Sequence, residues 1–410
     1  MSKIITVKNI FVVLLFLTSL LYLIFAFRTN QYFSLDDFFV LSYLKNHTTG
    51  EMIRQFLFQG DLWGFHKIMG YLNFRILFDL FGVNPWPYIV NNHIFQTVNV
   101  IMLFFLIDTL IGRSLKAFVF SIIFNSLYLY YFSNIHEYMV TFFCLSSILA
   151  YVKMKNYRLS LFLFFLGLLT KEVALSVPLI LFSLAITEKK SLKPLVPFVY
   201  LSAGYVIFQL SFILTKLNLN PADTYSVDIS IPNIINNLTF YLKPAWLIVL
   251  VLMAVLSIPR KSYLILACAL MTLLPALILN NRQELYYLYL PLAYLCLFMA
   301  MSLINFDVQM WPLYLLVFFL LGGRKLLPPI AHQIFTNWEK HSLEQVTEEM
   351  VRVIGNDPSV KEIIITVKQE RDTRMMLESG AVELFLPKEI AEGRSFVYRP
   401  ETTSVLIFQK

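Results

Sequence analysis

Leu159 to Ile186 reads LSLFLFFLGLLTKEVALSVPLILFSLAI. Its first apolar part is short for a membrane crossing, and Lys171-Glu172 interrupts the run. Charges inside so apolar a stretch are costly unless they are paired or face a cavity. The pattern predicts two half-buried helices meeting at a polar break, rather than one long helix.

The rest of the chain agrees with a lipid setting. Of its 410 residues, 58% are hydrophobic and 14% charged, and the mean hydropathy is +0.67. A water-soluble chain of this length has no core large enough to hide that much apolar surface, whereas many long apolar runs suit lipid as solvent. Aromatic residues make up 16% of the chain, which fits lipid-facing and interfacial packing. The first apolar run, Ile10 to Phe27, follows Lys3 and Lys8 and has two readings. It has the layout of a signal peptide, but it is long enough to span and lacks a small-residue cleavage site, which favours a retained anchor.

Successive apolar runs are separated by short loops, and every second loop is basic. Arg113/Lys116, Lys153/Lys155/Arg158, Lys189/Lys190/Lys193 and Arg260/Lys261 join Lys3 and Lys8 on one side. The positive-inside rule makes that side cytoplasmic. About eleven spans follow from the usual span length, which puts the C-terminus outside. The net charge of +7 reports this asymmetry. From Ala331 onward ten Lys/Arg meet thirteen Asp/Glu, while the first 330 residues carry 23 basic and 13 acidic side chains. The basic excess thus sits in loops, and it is no nucleic-acid signal.

The chain is therefore expected to be an all-α polytopic membrane protein with a small C-terminal α/β domain. The membrane part covers 1–330, with a first outer loop at about 28–87, and the tail covers 331–410. In the first loop, FFVLSYLKNH and MGYLNFRILFDLFG are apolar at helical spacing and read as interfacial helices. In the tail, SLEQVTEEMVRVIG reads as a helix, and VKEIIITV, AVELFL and SVLIFQ read as strands. The three cysteines lie inside apolar runs and read as small buried hydrophobes. Asn46-His47-Thr48 and Asn237-Leu238-Thr239 match the N-glycosylation pattern, which matters only in a eukaryotic source.

The candidate site residues all fall on the outer side. Asp36 and Asp37 follow the first span. One reading is a helix start, where carboxylates favour the positive dipole end. The other is a general base that takes a proton from an acceptor hydroxyl. His93 and Asn99 head a spanning run, where a polar contact between helices is as good a reading as function. His136-Glu137 alone reads as a solvated turn. Lys171 can hold a phosphate as a point charge, with a structural ion pair as the plain alternative for Lys171-Glu172. Arg282 can grip a phosphate with two nitrogens, or anchor a helix end together with Tyr286, Tyr287 and Tyr289. Carboxylates, histidines, a lysine and an arginine beside lipid suit a lipid-linked phosphate substrate.

The order of these pieces resembles the GT-C superfamily of polytopic glycosyltransferases. The likeness is strongest to the branch of protein O-mannosyltransferases and TMTC-type mannosyltransferases, with their bacterial relatives. FSLDDFF, LFGVNPWPYIVNNHIFQTVNVIML, SNIHEYMV, LLTKEVALSVPLIL and RQELYYLYLPLAYL carry it across residues 30–300. The resemblance implies a multi-pass protein of a bacterial inner or plasma membrane. It implies sugar transfer from a polyprenyl-phosphate donor to an acceptor at the extracytoplasmic face. Asp36 or Asp37 would be the base, and Lys171 and Arg282 would hold the carrier phosphate. His136 and Glu137 match a family motif with no assigned role, and with Glu172 and His93, which lie in the matching stretches, they are candidates for binding the substrate. Where relatives carry an Arg-Pro pair in the first loop, this chain has GFHKIMGYL, with His66 and Lys67 supplying charge but not the proline's backbone effect. TMTC-type helical repeats are replaced by the small tail. No cofactor is expected. A divalent metal at His136, Glu137 and the Asp pair stays open, although their spacing predicts no site. Two other classes remain: a flippase or transporter of lipid-linked saccharide, and a non-enzymatic membrane scaffold.

Overall fold

A computed structural model of the chain describes residues 7–28, 35–58, 67–126, 135–216, 228–242, 263–279, 285–302, 362–367, 395–400 and 405–409. They are mainly helical: α1 Val7–Arg28, α2 Leu35–Asn46, α3 Thr49–Phe58, α4 Ile68–Phe81, α5 Pro85–Ile111, α6 Ser114–Ser126, α7 Ile135–Val152, α8 Tyr157–Leu168, α9 Ser176–Thr187, α10 Val196–Lys216, α11 Ile231–Leu242, α12 Tyr263–Leu277 and α13 Tyr289–Ser302. Two compact units divide the chain. One comprises Met1–Leu23, Gln55–Gly70 and Asn91–Pro328, and the other Ile24–Arg54, Tyr71–Val90 and Pro329–Lys410.

Among the described residues, three helices are long and apolar enough to cross a membrane: Val7–Ile24 within α1, then α5 and α7. Shorter apolar helices run over Ser114–Asn125, Tyr157–Leu168, Glu172–Thr187, Leu264–Leu277 and Tyr289–Met301. Within the first unit α7 is central, with 83% of its span buried against 11% for α1. It lies against α8 through a reciprocal serine pair: Ser147 Oγ donates to Ser160 O and Ser160 Oγ to Ser147 O, each at 2.8 Å. Such small hydroxyl residues let helices approach closely while both hydroxyls stay satisfied.

Local sequence sets many helix ends. Asn84 Oδ1 accepts from Trp86 N at 3.2 Å ahead of α5, and Pro85 fills the first helical position, where no N–H is needed. Gly112 follows α5 with φ +71°, a left-handed stop that a side chain would strain. Thr48 and Glu51 form a reciprocal capping box at α3.

Contacts inside the first unit show which helix ends lie together. Lys8 at the start of α1 pairs with Asp108 near the end of α5 at 2.7 Å, and Ser114 Oγ donates to the same carboxylate. The Lys153 ammonium, just past α7, lies 4.7 Å from the Phe105 ring centroid. Tyr151 of α7 packs on Tyr157 of α8 and Phe198 of α10. The described basic loops, around Lys8, Arg113, Lys153 and Lys193, therefore gather at one end of this unit. The turn between α8 and α9 and the start of α7 lie at the other.

The interfacial-helix stretches of the first loop are helical, as α2 and α4. The split of Leu159–Ile186 is also as expected: α8, a 3₁₀ turn at Glu172–Leu175, then α9. In the tail, strands β1 Glu362–Val367, β2 Ser395–Pro400 and β3 Val405–Gln409 form a sheet of order β2-β1-β3. The β1–β2 pair is parallel, with Ile364 opposite Val397, and the β1–β3 pair is antiparallel, with Ile364 opposite Ile407. Two of the expected strand stretches are strands. Ser395–Pro400 was not foreseen, since its Arg and terminal Pro mask an edge strand. The stretches at 342–355 and 381–386 lie outside the described residues.

Candidate functional site

The polar break after α8 builds the site. The Thr170 and Lys171 amides both donate to Gly167 O at 2.9 Å, so the helix closes there. Lys171 is then extended, with φ −165° and ψ 146°, before the 3₁₀ turn starts. This turn-out carries the Lys171 ammonium away from the helix axis and toward α7. Gly167 permits the close packing: a Cβ there would stand 3.2 Å from Ala174 Cβ.

Lys171 pairs with Glu137 of α7, and both side chains are buried, 5% and 3% exposed. The same ammonium sits 4.5 Å from the centroid of the Tyr287 ring, a cation–π contact. Burial in an apolar bundle makes the pair obligatory for either partner, because a lone charge there costs several kcal/mol, roughly 3–5. The like charge of half-buried Glu172 opposes Glu137, while Lys67 and Lys171 favour it. Two cations and two carboxylates thus share this end of the unit.

His136 belongs to the same cluster, and Lys67 acts on it electrostatically. Its imidazole lies directly over Gly70, at the start of α4, where a Cβ would overlap the ring Nδ1. The Met69 amide donates to Leu169 O at 3.1 Å, which fixes that segment against the end of α8. Glycine at 70 is therefore what allows the histidine and the chain to meet. The reading of His136-Glu137 as a solvated turn is corrected. Glu137 is a buried residue of the first turn of α7, because Lys171, remote in sequence, neutralises it.

His93 lies deeper, with Nε2 against Ser19 O of α1. Around it runs a buried polar seam. Gln96 Nε2 donates to Asn125 Oδ1 at 3.2 Å, Asn99 Nδ2 donates to Tyr138 O at 2.9 Å, and the Tyr289 hydroxyl donates to Gln96 Oε1. These bonds join α1, α5, α6, α7 and α13, as expected of hydrogen-bonding side chains between membrane helices. For His93 and Asn99 the geometry takes the helix-contact reading.

Asp36 and Asp37 occupy the first turn of α2, in the second unit. Asp37 is buried, and its charge acts on the Tyr88 phenol, whose hydroxyl donates to Gly82 O at 2.8 Å. The position satisfies the dipole reading of the pair, and the burial of Asp37 is more than a surface cap requires. In the same unit Arg75 Nη1 donates to Leu44 O and His47 O, at 2.8 and 2.7 Å, and so ties α4 to the end of α2. His66, Arg282 and Glu284, and the side chain of Asp36, lie outside what is described.

The second N-glycosylation pattern match, at Asn237, sits in the first unit. Asn237 is fully buried, and its side-chain nitrogen donates to Leu277 O and Leu279 O at 2.8 and 2.7 Å. The nitrogen that would carry a glycan is engaged in capping α12. The three cysteines are buried and free, in keeping with their sequence reading. Among the described residues, no three His, Cys, Asp or Glu side chains converge as metal ligands.

Sequence reasoning missed the Glu137–Lys171 partnership and the role of Gly70. The available signal was weak: a Glu at the head of one apolar run and a Lys at the tail of the next. No protein-family model matches this chain, and neither the curated proteins nor the solved structures give a match.

Proposed function

We propose that this chain is a multi-pass membrane glycosyltransferase, of GT-C type with about eleven spans. It transfers a sugar from a polyprenyl-phosphate donor to an acceptor hydroxyl at the extracytoplasmic face. The observation that carries the reading is the buried Lys171–Glu137–Tyr287 cluster, with Lys67 and His136 beside it, at the end of the helices remote from the basic loops. A charge cluster held there by apolar helices fits a substrate that is part lipid and part phosphate.

In this reading Lys171, assisted by Lys67, faces the phosphate, which leaves as a good leaving group with little acid help. Glu137 holds Lys171 in place throughout. An ammonium is a compact point charge with three donors, so it can donate to a phosphate oxygen while still bonded to the carboxylate. Asp37, with Asp36 as its neighbour, takes the role of general base toward the acceptor hydroxyl. Arg282 adds a phosphate contact. His93 serves the packing of α1 on α5 and not the chemistry.

The test is transfer of labelled sugar from a polyprenyl-phosphate pool in membranes containing the full chain. Asp36→Asn and Asp37→Asn are assayed separately, with membrane levels matched. The expected outcome is a loss of at least about a hundredfold in one of them, the usual scale for a general base. Unimpaired transfer in both removes the base assignment.

A further inference from the structure

Helix α11 is amphipathic in an unusual sense. Its buried face carries Asn233, Asn237 and Tyr241, spaced four residues apart. Its exposed side is divided. Ile231 and Ile235 are 73% and 57% exposed, and Ile229 just ahead of the helix is 75% exposed. Asn236 and Thr239 are exposed on the other half. A helix lying on a protein in water turns its asparagines out and its isoleucines in. Here Asn233 and Asn237 turn inward for a specific reason. Asn237 donates to the carbonyls of Leu277 and Leu279, and Asp228 N donates to Ile278 O at 2.9 Å. These carbonyls end α12 and have no partner within the helix.

The helix is also held firmly in this orientation. Asn233 N bonds Ser230 Oγ, and Asn233 Nδ2 donates to Asp228 O at 2.7 Å. Those two bonds fix the start of the helix, and a rotation that buried the isoleucines would release the Asn237 bonds to Leu277 O and Leu279 O. Helix α12, whose end α11 caps, itself exposes the large apolar side chains Leu270, Met271 and Leu274. Its placement at the end of α12 puts α11 at the end of the bundle that holds Lys171.

We infer that α11 is an interfacial helix. It lies in the plane of the bilayer, with Ile229, Ile231 and Ile235 seated in the acyl–headgroup boundary and Asn236 and Thr239 facing water. The occupant of the isoleucine edge is lipid. An amphipathic helix of this kind buries its apolar face some 5–10 Å into that boundary. The consequence is positional: it fixes the depth of the neighbouring end of the bundle at the headgroup level. This inference needs the chain to be embedded in a bilayer and does not depend on sugar transfer.

Spin labels test it in the full chain, reconstituted in vesicles of phosphatidylethanolamine and phosphatidylglycerol. Labels are placed singly by Ile231→Cys, Ile235→Cys, Asn236→Cys and Thr239→Cys. The native cysteines are buried and do not compete for label. Collision with oxygen, which concentrates in lipid, is compared with collision with a water-soluble nickel chelate. Expected is a several-fold higher oxygen-to-nickel ratio at 231 and 235 than at 236 and 239. Equal nickel access at all four positions, meaning a water-bathed helix, overturns the inference. So does shielding of 231 and 235 from both reagents, which means that protein covers them. Having two positions on each edge keeps the test decisive if one variant fails to fold.

Discussion

Glu137 and Lys171 are 34 residues apart in sequence and share one buried site. Neither charge is stable there alone. Glu137→Gln or Lys171→Met is expected to destabilise the protein by about 3–5 kcal/mol, because each leaves the other charge buried and unpaired. The double variant should recover most of that loss. Thermal unfolding of the three variants in one detergent decides it, and additive losses would refute the coupling. A cation–π contact is weaker than a buried ion pair, so Tyr287→Leu should cost less than either charge change. Gly70 poses a different kind of constraint. Gly70→Ala forces the His136 ring aside and should cost about 1–3 kcal/mol, the usual range for overpacking. Adding His136→Ala should restore stability, since the space that the methyl needs is then open. An equal loss with and without that second change would place the fault elsewhere.

Elements were the most legible level in the sequence. The break at Lys171-Glu172 was readable because an extended, polar residue is foreign to an uninterrupted apolar helix. The start of α3 went unread, although Thr48-Thr49-Gly50-Glu51 has the capping-box spacing. The Thr48 amide and hydroxyl hold the exposed Glu51 carboxyl below its ordinary value. The sign follows from that direction. Stabilisation by ionised Glu51 is complete above the unfolded carboxylate pKa and is lost as pH falls through the lower folded value. The stability difference between wild type and Glu51→Gln should therefore be present near neutrality and vanish in acid, as followed by denaturation at a series of pH values. A pH-independent difference would show that the cap does not act through the carboxylate. Helix α11 shows the limit of this level. Its Ile-Asn alternation is visible in sequence, but which edge is buried depends on the ends of α12.

At the scale of the whole molecule, contacts arrange the first unit so that the basic loops lie together and the Lys171 cluster lies remote from them. A topological outcome follows. In sealed vesicles, Lys155→Cys and Lys190→Cys should react with an impermeant thiol reagent from one side only, and Asn236→Cys from the other. Labelling of all three from the same side would break the alternation of helix ends. The sequence by itself determined the apolar, helical character and the alternation of basic loops, because hydropathy and charge act locally along a chain. It also showed that α8 and α9 are separate. Only the tertiary structure decided which polar groups are partners. Glu137 finds Lys171, Asn237 finds the end of α12, and Gly70 makes room for His136. Each depends on segments distant in sequence coming within a few ångströms, and no local pattern encodes that approach.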